Sequence, residues 1–173
     1  MKCSVLAGSL CLLLTGCATM APLPETQTEF VPTGEISMAM MSASFDAVRV
    51  RKANVNLTKR ADGSWGGVLG SVGVDASVTP TRVTGVGLTL VLEESGGEKG
   101  TIITGQWQGK IVRFELDAHR ALIRTPKFNA TLNRSSPNTF GARGELQLKG
   151  EAALAEPPWP QFALALLAAF TTN

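Results

Sequence analysis

The 173-residue chain has no tyrosine, a single histidine, and three cysteines that all lie within the first seventeen residues. One histidine, His119, cannot supply the clustered ligands of the usual zinc sites. None of the serines lies in the strand, turn and helix setting that presents a hydrolase nucleophile. The sequence therefore predicts no metal site, no cofactor and no enzymatic activity.

A pair of carboxylates and a glycine-rich loop are present, but neither has the arrangement that catalysis or phosphate binding requires. Glu93 and Glu94 are adjacent, but neighbouring residues of a strand point to opposite faces of the sheet, so they are not expected to share a proton. Gly96, Gly97 and Gly100 join two predicted strands and lead into no helix, so they do not form a phosphate-binding loop. Both observations favour a non-enzymatic protein.

Charge and aromatic content exclude two other classes of protein. The 16 basic residues include Lys2, and removal of the leader leaves 15 against 14 acidic residues. A nucleic-acid-binding protein requires a concentrated basic surface, so no nucleic-acid partner is predicted. Aromatic residues make up 6% of the chain, too few for the aromatic girdles of a transmembrane barrel.

The first sixteen residues have the pattern of a bacterial targeting sequence. Lys2 provides a positive charge, residues 5–14 form an apolar run, and Gly16 precedes Cys17. The apolar run is too short to cross a bilayer. We therefore interpret residues 1–16 as a signal peptide.

Leu14, Thr15, Gly16 and Cys17 resemble the lipobox of bacterial lipoproteins. The resemblance implies that Cys17 receives a diacylglycerol, that the chain is cut before it, and that its new amino group is acylated, with palmitate as a typical chain. Ala18 follows the cysteine where inner-membrane lipoproteins have aspartate, which implies the outer membrane. The resemblance covers only the start of the chain and leaves open whether the protein faces the periplasm or the cell surface.

The rest of the chain is expected to contain a tether and one domain. Residues 17–34 include Pro22, Pro24 and Pro32 and show no apolar periodicity, so they are interpreted as the acylated amino terminus and an extended tether. Residues 35–173 are enough for a single domain with one core. Its only attached group is the covalent lipid on Cys17.

Alternation of apolar and polar residues dominates the domain. It runs through residues 72–78, 112–117, 128–133 and 140–149, and glycine-rich turns fall between these segments. Strands with one wet face are typical of antiparallel sheet. The sequence predicts an all-β meander of about eight to ten strands that forms a small barrel or a sandwich. Around Lys52 and Ala53 the phase slips, through either a bulge or a tight turn, and residues 36–45 fit a strand or a short helix.

Trp65 and Trp107 are each close to glycines, which lets a large ring lie over a neighbouring backbone. One interpretation is that both rings fill the core of repeated hairpins. The other is that they form an aromatic platform for a ligand or partner.

An apolar segment ends the chain. Pro157, Pro158 and Pro160 interrupt the sheet pattern, and the following residues predict a short helix over about 160–170. A helix that is apolar all round is normally buried, so it is expected to seal one end of a barrel or to cover a sheet. Alternatively, it docks onto a partner or inserts beside lipid, through Phe162, Leu166 and Phe170.

Two non-enzymatic functions fit this pattern. The first is a structural or interaction subunit of a cell-envelope assembly, held at the outer membrane by its lipid and contacting other envelope proteins. The second is a carrier that holds an apolar ligand or lipid in a lipocalin-like barrel. The inward-facing residues mix large and small side chains, so the choice remains open, with a filled core preferred.

Overall fold

The computed structural model describes residues 29–96 and 100–172. These residues form fourteen strands and one α-helix, and the predicted all-β class is confirmed. The strands are β1 Gly34–Met38, β2 Met41–Phe45, β3 Arg49–Lys52, β4 Val55–Lys59, β5 Trp65–Leu69, β6 Val72–Thr79, β7 Arg82–Gly85, β8 Leu88–Glu94, β9 Thr101–Trp107, β10 Lys110–Leu116, β11 Arg120–Arg124, β12 Asn129–Ser136, β13 Thr139–Phe140 and β14 Leu146–Gly150; a 3-10 turn, Glu151–Ala153, precedes α1, Gln161–Thr171.

The strands close into one barrel. Each strand pairs antiparallel with its neighbour along the chain, and β1 also pairs with β14, from Gly34 opposite Gly150 to Met38 opposite Leu146. The closing pair joins the first and last strands, so no unpaired edge is left in the sheet. Of the two predicted architectures, barrel and sandwich, the structure therefore adopts the barrel.

The expected count of eight to ten strands is too low because most of the connections are very short. Ala53 and Asn54 form a tight turn between β3 and β4, which resolves the phase slip as a turn rather than a bulge. Residues 36–45 fall within a hairpin, β1 and β2, whose turn contains Ala39 at φ 50°. A two-residue turn adds few turn-type residues to the sequence, so the boundary between two strands is hard to recognise.

The single strand predicted over residues 140–149 is also wrong. The chain leaves the sheet after Phe140 and rejoins it at Leu146. Gly141 and Gly144 have φ values of 92° and 67°, which glycine adopts without the steric cost that a Cβ brings. These two glycines break the extended backbone although the apolar alternation continues through them.

The alternation places apolar side chains inside the barrel and polar ones outside. In β6, Val74 and Ala76 are buried, whereas Asp75 and Ser77 are exposed. At Gly105, which lies close to Trp107, the missing Cβ affects the spacing of neighbouring strands. A Cβ at Gly105 would lie 1.9 Å from the Thr89 oxygen, so the glycine lets two neighbouring strands approach each other.

The carboxy-terminal helix lies inside the barrel. All eleven residues of α1 are buried, and all described strands belong to the one barrel, so only the lumen can enclose the helix on every side. The prediction of a helix over about 160–170 is confirmed within one residue. The prediction that it forms a lid on a sheet or barrel is wrong, because a barrel of this many strands has a lumen wide enough for a helix.

Aromatic and polar contacts hold the helix along its length. The Phe170 ring stacks on Phe128 with centroids 5.4 Å apart and lies 6.4 Å from Phe114. At the other end, Gln161 donates a hydrogen bond to the Ala47 oxygen. No helix in the described part of the chain is long and apolar enough to span a bilayer.

The barrel has two distinct ends. We call the entry end the one where residues 29–33 lead into β1 and α1 begins, and the exit end the one where α1 finishes. Thr33 is bonded at the entry end to the Phe45 oxygen and to Glu151. The exit end is formed by the turns at residues 39–40, 53–54, 70–71, 86–87, 108–109, 125–128 and 141–145.

Candidate functional site

The five predicted interaction residues are all buried. Trp65 and Leu166 have no exposed surface, and Phe162 and Phe170 are 2% exposed. These four side chains fill the barrel, so a partner cannot reach them while the barrel is closed. Trp107 lines a cavity at the exit end, and Phe162 borders another recess at the entry end. The candidate surface is therefore the cavity at the exit end, which Trp107 lines, rather than the apolar side chains of α1.

Two other residues were singled out from the sequence, Cys17 and His119. Cys17 lies outside the described residues. His119 is exposed in the turn between β10 and β11 at the entry end, where its backbone N–H donates to the Asp117 carboxylate over 2.7 Å. The Arg120 N–H donates to the same oxygen over 2.8 Å. His119 therefore belongs to a turn that is built on an aspartate.

The hydrogen bonds of this turn hold Asp117 in its charged form. Burial by itself raises the pKa of the Asp117 carboxyl, but the N–H groups of His119 and Arg120, with the positive charge of Arg120, outweigh it and lower the pKa overall. A carboxylate that two backbone N–H groups hold in this way stabilises a turn. These hydrogen bonds account for an aspartate at position 117, and no catalytic role is needed to explain it.

The exit end contains a recess at the mouth of the barrel. Its volume is about 390 Å³, which falls within the range of small-ligand sites. Leu69, Val72 and Trp107 provide apolar lining, and the end of α1 contributes Thr171 and Thr172. Polar and basic side chains line the remainder: Asn54, Ser71, Gln108, Lys110 and Lys127.

Lys52 fixes the end of α1 beside this recess. Its Nζ donates to the Thr172 oxygen over 2.6 Å and lies 3.3 Å from the Ala169 oxygen and 3.4 Å from the Ala168 oxygen. The last carbonyls of a helix have no partner within the helix and carry a partial negative charge. Lys52 supplies both the donors and the charge that they require.

Positive charge accumulates around the recess. Burial, and secondly the nearby charge of Lys127, lower the pKa of the Lys52 ammonium. The two ammonium groups therefore repel each other at this end of the barrel.

The two ends of the barrel differ in charge. The exit-end turns and the strand residues next to them contain one acidic residue, Glu145, against five basic ones: Lys52, Lys110, Arg124, Lys127 and Arg143. Among the described residues, no ion pair joins these basic side chains to a carboxylate. The exit end therefore has an unneutralised positive charge.

At and near the entry end, three basic side chains form ion pairs with carboxylates. Arg49 and Asp46 are 2.8 Å apart. Arg120 lies 3.5 Å from Asp117, and Lys149 lies 3.5 Å from Glu35. This difference is not apparent from the sequence, because the five basic residues of the exit end are spread over 92 positions of the chain and come together only when the barrel closes.

Replacement of Lys52 should weaken the attachment of α1. In Lys52→Met the side chain keeps its length but loses its donors, so we expect the free energy of unfolding to fall by about 1.5–3 kcal/mol, as for hydrogen bonds to charged groups. Urea denaturation followed by circular dichroism measures the change. Lys59→Met is the matched control, because Lys59 is exposed and should change stability by less than about 0.5 kcal/mol. Equal losses in the two variants would show that Lys52 does not hold the helix.

Comparisons with family models, with curated proteins and with solved structures each returned no match. Within residues 29–96 and 100–172, no group of three or more histidine, cysteine, aspartate or glutamate side chains is arranged to hold a metal ion. The recess at the exit end, with the basic side chains around it, is therefore the candidate site that the residues of this chain indicate.

Proposed function

We propose that the protein is a non-enzymatic, lipid-anchored interaction subunit of a cell-envelope assembly. In this proposal Cys17 carries the lipid, the outer membrane holds the lipid, and the barrel contacts other envelope proteins. The observation that carries the proposal is the position of α1. A lumen that is filled by the chain's own helix leaves the outer surface and the two ends for function.

The path of the chain supports an orientation for the barrel. Residues 29–33 join the barrel at the entry end, so a lipid on Cys17 attaches from that side. The segment from Cys17 to Thr33 reaches about 50 Å if it is extended at about 3.1 Å per residue. On this arrangement the exit end is free to face away from the membrane and to meet a partner.

The outer surface of the strands supports a barrel that stands in water. The outward residues of β12 include Asn129, Thr131 and Asn133, which are exposed, and those of β6 include Asp75 and Ser77. Lipid-facing strands would present apolar side chains at these positions. The outward-facing residues of these strands are polar, so the two ends of the tethered barrel are better suited to protein contacts.

The carrier remains the second candidate, because a closed barrel is the framework that a lipocalin-like protein requires. Its difficulty is the lumen, where α1 occupies the volume that an apolar ligand would need. A lipid that copurifies with the full chain and is detected by native mass spectrometry would favour the carrier. The same measurement without a bound lipid would favour the interaction subunit.

Replacement of Cys17 should release the protein from the membrane. We expect Cys17→Ser to lose all incorporation of a palmitate analogue and to move from the membrane fraction to the soluble fraction, because several acyl chains together make membrane binding effectively permanent. Metabolic labelling and fractionation of whole cells measure both effects. Cys11→Ser, in the leader, is the control and should keep the label. An unlabelled wild type, or an unchanged distribution of Cys17→Ser, would contradict the lipoprotein interpretation.

The interaction itself is tested in intact cells. A photo-crosslinking residue replaces exposed Gln108 at the exit end or exposed Thr81 at the entry end, and crosslinked proteins are identified by mass spectrometry. We expect a discrete envelope protein to be captured from at least one end. Capture of no protein from either position would contradict the proposed function.

A further inference from the structure

The exit end combines a recess, positive charge and exposed apolar side chains. Met40 is 97% exposed and Val86 is 89% exposed, and both lie in hairpin turns of this end. The Val86 turn borders the recess, since the Gln108 N–H donates to the Gly87 oxygen over 2.7 Å. Exposed apolar residues beside uncompensated charge are typical of surfaces that bind another molecule.

The lining of the recess indicates the chemistry of the bound group. Lys110 and Lys127 are exposed at its rim: Lys110 begins β10 directly after the turn at residues 108–109, and Lys127 lies in the neighbouring turn at residues 125–128. The Ser71 hydroxyl and the Gln108 amide are available as hydrogen-bond donors, whereas the Thr172 hydroxyl donates to the Ala168 oxygen. Lysines and neutral donors around an open recess suit an oxyanion at the tip of a short chain.

We propose that the exit end is the docking surface for an acidic polypeptide segment, and that one of its carboxylate side chains enters the recess between Lys110 and Lys127. This inference rests on the proposed interaction role and specifies the chemistry of the partner. The complementary charges attract the segment and orient it. Met40 and Val86 then pack against its apolar residues.

A polypeptide fits the observations better than an anionic bilayer does. A bilayer presents a broad surface and binds protruding basic and apolar side chains. The recess is concave, and the Trp107 ring that lines it is only 6% exposed, so a flat headgroup layer does not reach that ring. A glutamate or aspartate side chain extends far enough from its backbone to occupy such a recess.

The test measures binding of a fluorescein-labelled octaglutamate peptide to the full-length protein by fluorescence anisotropy. We expect Lys110→Glu combined with Lys127→Glu to raise the Kd at least tenfold. Lys59→Glu combined with Arg82→Glu makes the same charge change on exposed residues of the entry end and should raise the Kd less than twofold. Equal losses in the two double variants, or no binding by the wild type, would overturn the proposal.

A third variant separates the recess from charge alone. Ser71→Trp keeps the charge of the protein, and its ring should fill the recess from an exposed turn position and raise the Kd about tenfold. An unchanged Kd would show that the carboxylate does not enter the recess. The circular dichroism spectrum of each variant, compared with that of the wild type, verifies the fold.

Vesicles of phosphatidylglycerol are the second probe. Strong vesicle binding that is lost with Lys110 and Lys127, together with peptide binding that is insensitive to them, would overturn the proposal in favour of a membrane partner. The outcome is distinguishable from failure of the proposed function. If the peptide does not bind but Thr81 still captures an envelope protein in cells, the interaction role stands and only this assignment of the exit end fails.

Discussion

Leu166→Asp should prevent the protein from folding. Leu166 has no exposed surface and lies within α1 in the barrel lumen. An unpaired carboxylate in such a site costs many kcal/mol, or must be protonated, whereas a domain is typically stable by only about 5–15 kcal/mol. We expect loss of soluble protein, or loss of the β-type circular dichroism spectrum in what remains soluble.

Three further chains test how strongly α1 supports the barrel. Leu166→Ala should fold and lose about 2–5 kcal/mol of unfolding free energy, the usual range for a buried leucine. Leu154→Asp is the matched control, because Leu154 is 56% exposed and should tolerate the charge. A chain that ends at Glu156 lacks the whole helix and should aggregate. If Leu166→Asp or this truncated chain unfolds at the same urea concentration as the wild type, α1 does not support the barrel.

Trp65→Ala should cost about 3–5 kcal/mol of unfolding free energy. Trp65 is the largest of the fully buried side chains, and alanine leaves its volume empty in a closed lumen. Urea denaturation followed by circular dichroism measures the loss. Val68→Ala, on the outer face of the same strand, is the control and should change stability by less than about 0.5 kcal/mol.

Trp65→Phe separates packing from polarity at the same site. The Trp65 Nε1–H is buried and has no hydrogen-bond partner within the described part of the chain, a situation that typically costs about 1–3 kcal/mol. Phenylalanine removes this donor but also some volume, so the two effects oppose each other. We expect a net change within about 1 kcal/mol. A loss as large as that of Trp65→Ala would show that the indole N–H has a partner.

The sequence indicated the strands where the alternation is uninterrupted. The patterns over residues 72–78 and 112–117 correspond to β6 and β10. The prediction was wrong over residues 140–149, where positive φ values at Gly141 and Gly144 interrupt the strand. Alternation reports which face a side chain would occupy, but it does not report the backbone torsion of a glycine.

The candidate site was the least predictable part of the protein. Trp107 was identified from the sequence as a residue of interest, and it does line the recess. Lys110 and Lys127 were not, because each is an ordinary exposed lysine in its own turn. Their common position depends on the pairing of β9 with β10, of β10 with β11 and of β11 with β12, which brings two separate turns to the same end.

By itself the sequence determined the antiparallel strand class and indicated a short apolar helix over about 160–170, for which burial was the preferred interpretation. Both follow from local side-chain periodicity: alternation requires one dry face, and a helix without a polar face requires complete burial. Only the tertiary structure decided that β1 meets β14, that the helix occupies the lumen and that the basic turns share one end. These features depend on contacts between residues as far as 120 positions apart, and no local pattern encodes them.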